Sequence, residues 1–113
     1  EVVSSLPQEK QAYFDNLIDK KHITANEVQN LIGQVKKGSI SVDDFSRYYA
    51  NKVGAENLSP RIKSNLEMNL RILAGENTEE VQKFVNENSV YGKNAKNAAT
   101  KTIQILLERI KKH

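Results

Sequence analysis

A chain of 113 residues with a net charge of +3, 38% apolar and 27% charged residues is long enough for one hydrophobic core and too short for two independent ones. That composition is too apolar and too weakly charged for a disordered chain. Cysteine is absent, which excludes disulfide staples, thiolate nucleophiles and cysteine metal sites, and the short apolar runs fall far below the roughly 20 residues that span a bilayer. One soluble helical domain over residues 1–113 is therefore expected. Because the chain opens on Glu1 and not on methionine, that domain reads as a processed mature chain or a fragment of a larger protein, either cytoplasmic or, if a signal peptide preceded Glu1, periplasmic or secreted.

Start, stripe and stop signals predict six helices and no sheet, over about 6–20, 25–37, 42–53, 60–74, 78–86 and 95–111. In the first, Ser5 caps, Gln8 is its partner, Pro7 fits the first turn, and Tyr13, Phe14, Leu17 and Ile18 face inward. The second opens on Thr24 and Glu27 as a capping box with Ile23 and Val28 as the hydrophobic staple. Val28, Leu31, Ile32 and Val35 form its apolar stripe, and Gly38 supplies a left-handed stop after Lys36 and Lys37.

The third helix repeats this grammar, with Ser41 and Asp44 as the box, Ile40 and Phe45 as the staple, and Gly54 as the stop. Its stripe is Val42, Phe45, Tyr49 and Val53, so Tyr48 makes the apolar face too wide and one of the two adjacent rings is expected to lean outward. The fourth starts at Ser59-Pro60, buries Ile62, Leu66, Leu70 and Leu73, and stops at Gly75. The short fifth is capped by Asn77 or Thr78 and buries Val81, Phe84 and Val85. A polar stretch from Asn86 to Asn94 then breaks the pattern before the last helix, whose inner side is Ala95, Ala99, Thr102, Ile103, Leu106 and Ile110. Short connections make consecutive helices pack against one another as a compact bundle.

Chemical machinery is sparse. Asp15, Asp19 and His22 share one face at i, i+4 and i+7, a spacing that could hold a divalent ion, but the simpler reading makes them solvated surface residues, and no metal, cofactor or catalytic residue is assigned. The turns before Ile23 and Ile40 faintly resemble EF-hand loops through Glu27 and Asp44. Calcium loops need oxygen ligands where this chain has Gly33, Val35 and Lys37, so calcium is excluded by this route. The segment from Leu17 to Glu27 also resembles the short helical oligomerisation and C-terminal motif of bacterial proteins, mostly in its capping residues, and no family membership is drawn from it. Phosphate-binding glycine loops, nucleophile elbows and zincin signatures are missing from the sequence, and an enzyme is not expected.

Charge is unevenly spread. Lys93, Lys96, Lys101, Arg109, Lys111 and Lys112 face Glu108 alone between residues 93 and 113, which gives this end +5 and leaves the remainder of the +3 total at −2. Such a basic helix could lie along phosphates. A helix-turn-helix over Thr24 to Val53 would instead point Asp43 and Asp44 at DNA, the wrong sign. Tyr91 and Val90 sit in a polar loop, either plugging the bundle or presented. The expected function is a non-enzymatic protein-protein interaction module of adaptor, chaperone, inhibitor or immunity type. A bacterial or phage source suits the asparagine- and lysine-rich composition. Tyr48, Tyr49 and Tyr91 are the partner-binding candidates, and a nucleic-acid-binding module using the basic last helix is the alternative.

Overall fold

The computed structural model describes residues 7–92 and 94–112. Ser5 and Leu6, expected to cap and open the first helix, lie outside the described residues, as does Lys93 of the basic end. Among the described residues the protein is an all-α bundle of six helices, α1 (Gln8–Ile18), α2 (Ala25–Lys37), α3 (Val42–Val53), α4 (Pro60–Leu73), α5 (Glu79–Glu87) and α6 (Ala95–Lys112), with no strand. Single turns of 3-10 helix at Ala55–Asn57 and Ser89–Tyr91 lie in the connections on either side of α4 and α5.

Local chemistry explains most of the helix ends. At α3 the reciprocal capping box is complete, since Ser41 Oγ accepts from the Asp44 amide at 3.0 Å and the Asp44 carboxylate accepts from the Ser41 amide at 2.8 Å. Ser59 and Thr78 cap α4 and α5 by accepting from the Ile62 and Val81 amides, and the Asn94 side chain does the same for Asn97 in α6. Gly38, with φ at 81°, lets the Ser39 amide return to the Gln34 carbonyl, and Gly75, with φ at 87°, lets Glu76 return to Arg71. Both are left-handed C-terminal stops that side chains with a Cβ resist.

Three of the expected ends are corrected. Thr24 stands at the α2 N-cap, but its hydroxyl takes no capping bond, and the Glu27 amide bonds instead to the Thr24 carbonyl at 3.1 Å. Pro7 is the N-cap residue of α1 and not a first-turn residue, its carbonyl receiving the Lys10 and Gln11 amides. At its other end α1 stops at Ile18 and not at Lys20, with Asp19 as C-cap.

The buried residues form one connected core. Its axis is the α4–α6 pair, the most extensive helix contact in the molecule, and α6 also meets α1, α2 and α3. Leu66, Leu70, Ile103 and Leu107 are fully enclosed between them. Leu107 was not among the expected inward residues of the last helix; it is buried because neighbours approach α6 from several sides, which widens its apolar face beyond a single stripe.

Candidate functional site

The tyrosines come first, because the structure overturns the exposure on which their candidacy rests. Tyr48 and Tyr49 are 1% and 4% exposed. The one-face picture of α3 fails because α3 is covered twice, by α1 on one side and by α4 and α6 on the other. Toward α1, Tyr48 stacks on Phe14 with ring centroids 4.7 Å apart, and Phe14 stacks in turn on Phe45 at 5.8 Å. Toward α4 and α6, Tyr49 and Val53 line a shallow groove with Ile62. Tyr91 is also buried: its hydroxyl donates to Asn69 Oδ1 at 2.6 Å while Asn69 Nδ2 donates to the Asn65 carbonyl. Val90, its neighbour, is the residue presented, 70% exposed.

Polar contacts clasp α1 onto α3. The Tyr48 hydroxyl donates to Asp15 at 2.6 Å, Lys52 reaches the same carboxylate, and Lys10 pairs with Asp44 at 2.7 Å. The Tyr48 bond, supported by Lys52, holds the Asp15 carboxyl below the usual carboxylate range. Burial works to raise Asp44, yet Lys10 and the Ser41 amide outweigh it and the net shift is also downward. Burial and the adjacent Asp15 push the Tyr48 phenol far upward, so it stays a protonated donor at neutral pH. Depressed carboxyl groups contribute stability above their unfolded value near about 3.9, and that contribution disappears as pH falls through the folded value. The urea midpoint is therefore expected to hold between about pH 7 and pH 5 and to drop below about pH 4. Asp44→Asn should lower the neutral midpoint and flatten the acid drop; an unchanged acid limb would contradict the clasp.

Asp15 is thus engaged with Tyr48 and Lys52. Asp19 closes α1 and His22 lies in the turn beyond it, both exposed, so the i, i+4, i+7 spacing ends before a third donor joins the helix face.

The basic end divides into two parts. Lys111 is spent on the fold: its ammonium donates to the Lys20 and Lys21 carbonyls, satisfying backbone groups just past the end of α1 and favoured there by the negative end of the helix dipole. About two turns earlier, Gln104 Nε2 donates to the Ile23 carbonyl at 3.0 Å. Together these two side chains pin the α1–α2 turn against α6. Lys96, Lys101, Arg109 and Lys112 are exposed, and none of them belongs to any of the ion pairs among the described residues.

Sequence reasoning missed the residue that completes this surface. At 3.6 residues per turn, Lys101, Ile105, Glu108, Arg109 and Lys112 share one stripe of α6, opposite the buried Ala99, Ile103, Leu106 and Ile110. Ile105 is 55% exposed there, one of two large apolar side chains among the described residues that stand in solvent. The available signal was register, since an isoleucine at 105 cannot share the inner face set by Ile103, Leu106 and Ile110. Beside it runs an open groove of about 640 Å³ whose far wall is Ile23 in the pinned turn. Arg109 and Lys112 form the ridge between this groove and the smaller one at Tyr49 and Val53.

The described fold and surface define an all-α bundle that carries a mixed cationic and apolar helix face. Comparison with protein-family models, with curated proteins and with solved structures finds no match to this chain.

Proposed function

We propose that the protein is a non-enzymatic protein-interaction module whose docking surface is the outward face of α6. The observation that carries this reading is Ile105, more than half exposed in the middle of a row of cations that have no ion-pair partner among the described residues. An apolar anchor ringed by charged side chains is the composition of a protein docking patch, with the anchor supplying energy on burial and the charges supplying orientation and encounter rate. Three of the four cations are on or beside a groove already held open by Gln104 and Lys111, which spares a partner the cost of ordering it.

Nucleic-acid binding is the second reading, favoured by the same cations. The two make opposite predictions for Ile105→Lys. A protein partner loses its anchor, so a protein captured from cells by the wild type should be lost by the variant, with circular dichroism unchanged because the site is exposed. A phosphate backbone gains a contact, so duplex DNA affinity should rise. Retention of nucleic acid alone, equal or stronger with Ile105→Lys, would overturn the protein reading.

A further inference from the structure

Resting on that reading, we infer that the occupant of the α6 face is an acidic amphipathic helix, which seats an aliphatic side chain between Ile23 and Ile105 and sets carboxylates against Lys101 at one end and Arg109 and Lys112 at the other. The length of the site points to a helix. From Lys101 to Lys112 the stripe rises roughly 16 Å, about three turns, and residues along that whole length, together with Ile23, line the open groove, so a partner helix lying along α6 would meet all of it. Extended peptides gain affinity by adding to a sheet edge or by docking as polyproline helices on aromatic grooves; the described residues offer no strand and the groove has no aromatic lining.

The charge pattern selects within helices. Cations stand at both ends of the stripe and the single carboxylate, Glu108, stands between them beside the apolar contact. A complementary partner therefore reads acidic, then apolar with an amide or a cation opposite Glu108, then acidic. A uniform phosphate backbone would meet both Glu108 and Ile105 at the centre of its contact, where repulsion and an unfilled apolar surface both oppose it. A membrane surface would need a continuous row of large apolar residues, and this stripe has one. Rigidity completes the case. Ile23 is 5% exposed and its carbonyl is bonded to Gln104, so this wall of the open groove is anchored and a partner need not order it.

The test uses the whole chain and a labelled synthetic helix of about four turns, alanine-rich for helicity, with leucine at the centre of one face, glutamine one turn on, and glutamates at both ends of that face. Fluorescence anisotropy at low salt should show saturable binding, weaker by at least about tenfold for a peptide of the same composition with the face scrambled, and by a similar factor for the charge-neutral Ile105→Ser. The charge reversal Lys101→Glu/Arg109→Glu should abolish binding of the acidic helix and create binding of its lysine counterpart, a gain that loss of folding could not produce. Equal binding of designed and scrambled peptides, or preference for duplex DNA or phosphatidylserine vesicles over the peptide, would overturn the inference. Capture of a protein that depends on Ile105 but not on Lys101 and Arg109 would overturn it while leaving the docking surface standing, whereas capture indifferent to Ile105 would remove both.

Discussion

Phe14→Ala is expected to lower the unfolding free energy by about 3 to 5 kcal/mol, measured by urea denaturation followed by circular dichroism. Phe14 is fully buried and stacks with two rings of α3, Tyr48 at 4.7 Å and Phe45 at 5.8 Å, and it meets Tyr13 edge-to-face. Truncation removes the transfer energy of the ring and opens a cavity between α1 and α3 that neighbouring rings, already packed against other helices, can fill only in part. Phe14→Leu, which keeps most of the volume, should lose clearly less. A loss below about 1 kcal/mol for the alanine variant would mean that α1 contributes little to the bundle.

The second large effect concerns the buried pair Asn69 and Tyr91. Asn69 is 0% exposed, and both ends of its amide are used, one for the Tyr91 hydroxyl and one for the Asn65 carbonyl. Tyr91→Phe leaves the Asn69 oxygen without a partner, and Asn69→Leu leaves the Tyr91 hydroxyl without one. Each should cost about 1 to 3 kcal/mol, the penalty of an orphaned buried polar group. The double variant Asn69→Leu/Tyr91→Phe removes both and should lose less than the sum of the single changes by more than about 0.5 kcal/mol. Strict additivity would show that the hydrogen bond is not what holds the Ser89–Tyr91 turn onto α4.

Those two sites also mark the boundary of what the sequence discloses. The capping box at Ser41 and Asp44 and the left-handed stops at Gly38 and Gly75 are written in adjacent residues, because the groups they satisfy lie within one turn. Tyr48 is different. Its burial depends on α1, whose Phe14 precedes it by more than thirty positions, and no periodicity within α3 encodes that a second helix covers its other side. Tyr91 likewise plugs the bundle against Phe84 and bonds Asn69, a polar residue in a stripe of leucines, and neither partner is written in its own loop. Of the proposed docking surface, the cations were legible in the sequence and Ile105 was not. Lys111, read from composition as part of the basic surface, is bonded to the α1–α2 turn, while Ile105, absent from the expected inner side of the last helix, faces solvent.

The clamp on the α1–α2 turn has a consequence for timing. Lys111 and Gln104 reach carbonyls 81 to 91 positions earlier in the chain, and closing so long a loop is among the slower steps available to a small helical protein. Until the last helix docks, the turn has no wall to rest against and Ile23 and Ile105 are not neighbours. The proposed contact surface is in that sense a late product of folding: a chain caught half-assembled carries every residue of the α6 face and of the turn but not the groove between them.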